Sequence, residues 1–124
     1  MSVRAYLIKK IDVNYENDEI IIKKVLNKTP SFKVNHEKIL ELFDYERNLN
    51  EDLNGELTMD RYTWSNILKD LDFSKYSEYE LEMIENISND MKDNDFICYY
   101  CFWYTSLRKN LIKKSYINNT IIND

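Results

Sequence analysis

The chain of 124 residues contains one glycine, Gly55, one proline, Pro30, and one histidine, His36. Dinucleotide fingerprints and phosphate-cradling loops need several glycines, because only glycine lets backbone amides approach phosphate closely. Neither motif can be built here. A single histidine likewise excludes the two-histidine zinc sites of H-E-x-x-H hydrolases. Any acid–base pair has to come from carboxylates, Lys or Tyr, or use His36 alone. No apolar run approaches the roughly 18 residues of a membrane span, and the opening MSVRAYLIKKID lacks the apolar stretch that a secretory signal carries behind its charge. Two cysteines are too few for a disulfide-stapled secreted scaffold. These absences lead to the expectation of a cytoplasmic protein with no membrane contact and no cofactor.

What is present is enough apolar material for one domain with a real core: 44% hydrophobic residues, 14% aromatic, ten of them Tyr. The net charge of −5 is unevenly spread. Residues 1–34 hold seven Lys/Arg and four Asp/Glu, residues 35–95 hold six against seventeen, and residues 96–124 hold four against one. An acidic middle therefore stands between two mildly basic ends.

Residues 3–13 and 19–26, rich in β-branched and aromatic side chains, predict two strands of a hairpin around the polar turn 14–18. Pro30 marks a loop. Asn35 is a candidate cap for a helix over 36–47, with Ile39, Leu40, Leu42 and Phe43 on one face. The stretch 48–56 reads as a polar break around Gly55. Asp60 can cap a helix with a stripe of Tyr62, Trp64, Ile67, Leu68 and Leu71. Ser77 followed by Glu80 has capping-box spacing and opens a third helix with Leu81, Ile84, Ile87 and Met91 on its apolar face. The segment FICYYCFWY, 96–104, is apolar on both parities and predicts a central strand buried on both sides. The fold expected is α+β, a small mostly antiparallel sheet packed with three to four helices over residues 1–104. Residues 105–124 are expected as a helical or loosely ordered basic tail, with Leu107, Leu111 and Ile112 as its apolar positions.

Cys98 and Cys101 match the C-x-x-C spacing of metal and redox sites, but in a strand they point to opposite faces. Structural zinc needs four ligands, and only His36 and carboxylates remain. A redox pair needs an exposed thiolate at a helix N-terminus, whereas Ile, Tyr, Phe and Trp surround these two. They read as core cysteines, and no metal site is expected. His36 reads as a solvated first-turn residue rather than a general base, since no nucleophile stands at a telling distance. Among Glu78, Glu80, Glu82 and Glu85, the pairs 78/82 and 78/85 lie near whole helical turns, which can pair carboxylates for glycoside or two-metal chemistry when buried but more simply makes a solvated face. Tyr99, Tyr100, Trp103 and Tyr104 resemble in type the stacking platforms of single-strand binders, with Arg108, Lys109, Lys113 and Lys114 to meet phosphate.

Three stretches, MSVRAYLIKKIDV, NHEKILELFD and YYCFWY, together resemble small uncharacterised proteins carried by bacteriophages and prophages. The resemblance spans roughly residues 1–104 and stops before the basic tail. It implies a mobile-element context, and it brings no activity and no site residue.

The functional expectation is a non-enzymatic acidic interaction module. Clustered carboxylates on helix faces can imitate a phosphate row, occupy a basic channel and speed the encounter with it. A phage or mobile-element inhibitor of a host nucleic-acid-binding or defence protein, of the anti-CRISPR kind, fits that description. Its partner would be a host protein with a basic surface, met by Glu37, Glu41, Asp44, Glu78, Glu82 and Glu85, with no direct contact to nucleic acid. A homodimer joined through its aromatics is compatible with the same composition. The rival readings are a single-strand binder using the C-terminal aromatics and a small enzyme with a carboxylate or His36 in an aromatic pocket.

Overall fold

In a computed structural model the described residues are 3–15 and 18–103. Among them the chain forms an antiparallel sheet of five strands and four helices, the α+β fold expected. Strands Val3–Tyr15 (β1) and Asp18–Val25 (β2) make the predicted hairpin, in register from Ile8↔Val25 to Tyr15↔Asp18. Pairing through Tyr15 and Asp18 makes the connection shorter than the five-residue turn read from the sequence. Past the Pro30 loop, Phe32–Lys33 (β3) continues along the same edge of β1, pairing with Ala5 and Arg4. Strand Phe96–Trp103 (β5) is central, between β1 and Gly55–Asp60 (β4).

Strand β4 corrects the sequence reading, which placed Gly55 and Glu56 in a polar break. Leu57 and Met59 alternate into the core while β5 offers a free edge, and that pairing organises a segment of low strand propensity. The turn before it is closed by Asn50, whose Oδ1 accepts the amides of Asp52 and Asn54 at 2.9 and 3.0 Å. Gly55 has φ +150°, and a Cβ there would lie 2.2 Å from the Asn48 carbonyl oxygen. The single glycine thus stands where a side chain does not fit.

The helix predicted over 36–47 is also corrected. Two four-residue helices stand there, Glu37–Leu40 (α1) and Tyr45–Asn48 (α2), with His36 rather than Asn35 at the first N-cap and no side-chain cap bond at either. The amides of Leu42 and Phe43 donate to the carbonyls of Ile39 and Leu40, tightening the chain between the helices. Phe43 is thereby buried in an aromatic cluster, stacked on Phe32 at 5.4 Å and edge-on to Tyr99 at 6.0 Å. Burying that ring outweighs prolonging a short, weakly capped helix.

Helix Arg61–Asp70 (α3) starts where expected. Asp60 accepts the Thr63 amide and hydroxyl, each at 2.7 Å. Trp64 is buried and Ile67, Leu68 and Leu71 pack on the core, but Tyr62 is exposed. Two residues along a helix is about 200° of rotation, so Tyr62 and Trp64 cannot share a stripe. Helix Glu78–Asp90 (α4) carries the predicted capping box, with the Glu80 amide on Ser77 Oγ and the Ser77 amide on Glu80 Oε1. Its buried face is Met83, Ile84 and Ile87, followed by Met91, with Leu81 at the margin.

The helices pack on one face of the sheet, against Leu7, Leu57, Tyr99 and Cys101. The other face holds a second cluster of Tyr6, Ile8, Cys98 and Tyr100. No helix among the described residues is long and apolar enough to cross a membrane. The segment 105–124, read as a basic tail, lies outside the described residues, as does Tyr104.

Candidate partner-binding site

Strand alternation separates the two thiols as expected. Cys101 belongs to the helix-covered core and Cys98 to the opposite cluster. Both are free and buried. Burial pushes the Cys98 thiol up to about 11, helped by the negative charge of Glu56, and burial also drives the Cys101 thiol upward. Raised thiols are the reverse of what nucleophilic or redox cysteines need. Among the described residues, no group of three or more His, Cys, Asp or Glu is placed to hold a metal. Tyr99 and Tyr100 are buried, so neither presents an open ring face.

The expected acidic residues fall into separate groups. Glu78, Glu82 and Glu85 are exposed on α4. At 3.6 residues per turn they lie within about 60° of arc. Within α4 there are also Glu80 and Asp90 and no Lys or Arg, so this helix is the concentrated part of the acidic block. Glu37 and Glu41 are exposed at the start and the C-cap of α1. Asp44 stands at the N-cap of α2, 3.9 Å from Arg47. Between α1 and α4, Lys38 Nζ donates to the Lys75 carbonyl and lies over the Tyr76 ring at 5.4 Å. Partial burial raises the Tyr76 phenol, and the charges of Glu80 and Glu41 add to this. Glu37, Lys38 and Glu80 line one hollow between α1 and α4, so Glu80, outside the expected partner-binding set, stands near Glu37 with cationic Lys38 among them.

Three features were not foreseen. Tyr79, one step from Glu78 on α4, is 73% exposed, an isolated large aromatic beside the acidic arc. Along α4 runs a groove against the β2–β3 connection, with a cavity of about 460 Å³ lined by Pro30, Phe32, His36, Tyr79, Glu82 and Met83. Beyond it, Asp90 Oδ2 accepts hydrogen bonds from Ser31 Oγ at 2.5 Å and Tyr99 OH at 2.6 Å. Burial and the Asp90 carboxylate hold the Tyr99 phenol strongly upward, so it stays protonated and donating. One signal for Asp90 was available: a carboxylate in the last turn of a helix opposes the helix dipole, and its presence there calls for donors.

Among the described residues, the carboxylates that depart clearly from their usual range, Glu56, Asp60 and Glu80, move down. Glu56 does so although burial opposes it, because Lys10 and Lys23 both hydrogen-bond to it and carry positive charge. Asp60 is lowered by the Thr63 amide and Glu80 by the Ser77 amide. Lowered carboxyls stay ionised, suited to attracting cations and unsuited to giving a proton at neutral pH.

No protein-family model matches the chain, and neither a curated protein nor a solved structure is significantly similar to it.

Proposed function

We propose that the protein is a non-enzymatic interaction module that binds a basic surface of a partner protein through α4 and its surroundings. The observation that carries this reading is the exposed arc of Glu78, Glu82 and Glu85 on a helix without a single basic residue, with Tyr79 exposed beside it. Three like charges within two turns repel one another and contribute nothing to folding. They raise the encounter rate with a positive partner, and an exposed Tyr adds the rigid amphipathic contact that interfaces favour. In a mobile-element setting the partner is a host protein that itself binds nucleic acid, and the carboxylates occupy its phosphate-binding channel as an inhibitor would.

Of the aromatics named for the single-strand reading, Tyr99 and Tyr100 are buried, while Tyr104 and the basic residues that would meet phosphate lie outside the described residues. The enzymatic reading keeps a concavity in which His36 and Glu82 stand with Phe32 and Tyr79, whereas the described carboxyls with a clear shift, Glu56, Asp60 and Glu80, lie outside it and are all lowered.

The test is a pull-down from bacterial lysate, with nuclease present, comparing the wild-type chain with the triple variant Glu78→Lys, Glu82→Lys, Glu85→Lys. The expected result is a stoichiometric protein that elutes from the wild type as salt is raised and is absent from the variant. A partner held equally by both chains, or indifferent to salt, overturns the reading.

A further inference from the structure

The cavity beside Tyr79 does not end at Asn86. A second hollow of about 310 Å³, reaching Asn27, Asn89 and Asp90, shares Thr29, Pro30, Ser31 and Asn86 with the first, so the two are halves of one groove between α4 and the β2–β3 connection. From Tyr79 to Asp90 the helix advances about 16 Å at 1.5 Å per residue. That is the length of about five residues of extended chain.

The halves differ in chemistry. The first has an apolar floor in the buried Phe32 and Met83, with the exposed Glu82 and Tyr79 at its rim. The second is lined by amides and by the Asp90 carboxylate. Ser31 and Tyr99 are both buried, and both donate to Oδ2. They fix the plane of the carboxylate. Among the described residues nothing donates to Oδ1. An acceptor oxygen held in a fixed plane, with side-chain amides around it, suits a guanidinium better than an ammonium. The guanidinium fork can give one N–H to Oδ1 and others to amide oxygens, whereas lysine offers only a point charge.

Resting on the interaction reading above, we propose that this groove is the specific docking site for an extended basic peptide segment of the partner. The segment carries an arginine at Asp90, a second cation at Glu82 and an apolar side chain between them over Phe32 and Met83. Glu82 and Asp90 are eight residues apart on α4, about 12 Å along its axis, so the two cations stand three or four residues apart in the extended peptide. Charge complementarity with the α4 wall selects this occupant, because the charged residues that α4 brings to the groove, Glu82 and Asp90, are both acids. Lys28 and Lys33 lie on the opposite lip. They direct the peptide's cations toward the helix and face its backbone carbonyls.

The experiment is an amide NMR titration of the full chain with acetyl-Arg-Ala-Leu-Ala-Arg-amide, against acetyl-Lys-Ala-Leu-Ala-Lys-amide and the corresponding Glu peptide. Saturable shifts are expected at Asn27–Lys33, Tyr79, Glu82, Asn86 and Asp90, with the arginine peptide at least threefold tighter than the lysine peptide and no response to the Glu peptide. Asp90→Asn should weaken the arginine peptide at least fivefold and erase its advantage over lysine. Glu82→Gln, at an exposed position, should weaken both basic peptides while leaving the rest of the spectrum in place, and it supplies the test should Asp90→Asn fail to fold. Shifts confined to the outward arc of Glu78 and Glu85, or affinities unchanged by Glu82→Gln, overturn the groove and leave the acidic-surface reading standing. Absence of saturable shifts also overturns the groove, while the triple-variant pull-down judges the broader reading independently.

Discussion

The two faces of the sheet are made from the same strands, yet they are closed by different physics. On the helix side, Leu7, Leu57, Ile97, Tyr99 and Cys101 meet Phe43, Trp64, Met83 and Ile87, and the fit is one of volume and aromatic geometry. On the other side, Tyr6, Ile8, Cys98 and Tyr100 form a smaller cluster that no helix residue joins among the described residues. There Glu56 is bridged by Lys10 and Lys23, and Lys23 Nζ sits 4.5 Å from the centre of the Tyr100 ring with only 16% of its side chain exposed. Lys10 and Lys23 are a cross-strand pair of like charges, which repels unless an anion intervenes, and Glu56 is that anion. One face excludes water with apolar side chains. The other lays the stems of long charged residues over aromatic rings, so that part of its stability is electrostatic.

Breaking the helix-side packing should have the largest effect. Phe43→Ala removes a buried ring from between Phe32, Trp64 and Tyr99 and should cost about 3–5 kcal/mol in urea unfolding, nearly independent of salt. A loss below about 1 kcal/mol would mean that the aromatic cluster does not hold this face together. The thiols sharpen the same contrast. With its pKa near 11, Cys98 has roughly a hundredth of the thiolate at pH 8 that an ordinary thiol has, and iodoacetamide should modify it about 100-fold more slowly in the native than in the urea-unfolded chain. Cys101, on the helix side, should react more slowly still, as read by peptide mass spectrometry. Equal native rates for the two would erase the distinction between the faces.

Tyr99→Phe deletes the hydroxyl that joins the central strand to Asp90 and should cost about 2 kcal/mol, the worth of a hydrogen bond to a charged group. Glu56→Gln should have the smallest effect, about 1 kcal/mol or less because solvent screens the pairs, and it should be sensitive to salt and pH. Glu56 is lowered from its usual 4.5 in the folded chain, so its contribution is fully present above about pH 4.5 and is lost as pH falls through the lowered folded value. Denaturation of wild type and variant at several pH values should therefore converge in acid. A gap that persisted there would show that Glu56 acts through packing.

Much of this architecture was legible because its causes are local. Ser77 and Glu80 specify the start of α4 within one turn, and Asp60 does the same for α3. Cys98 and Cys101 are assigned to opposite faces by the two-residue period of a strand, and Glu78, Glu82 and Glu85 to one arc by the period of a helix. Strand β4 was missed because GELTMD has only two inward apolar residues, and its pairing is with a strand some forty residues later. Helix 36–47 was drawn too long because the periodicity of Ile39, Leu40 and Phe43 is real, while the break between them is imposed by the ring cluster that Phe43 enters. Tyr62 was placed in the wrong stripe by composition alone.

The candidate site divides along the same line. Its charge is a matter of residue type and helical period, and both can be read from a linear chain. Its groove is not, because Ser31 reaches Asp90 across 59 positions and the floor joins residues of β3 to residues of α4. Local periodicity and capping act over three or four residues, and they settle which elements form and which way they face. Which distant carboxylate receives two buried hydroxyls, and which oxygen remains open, is decided only when elements far apart in the chain are pressed together to bury their apolar faces.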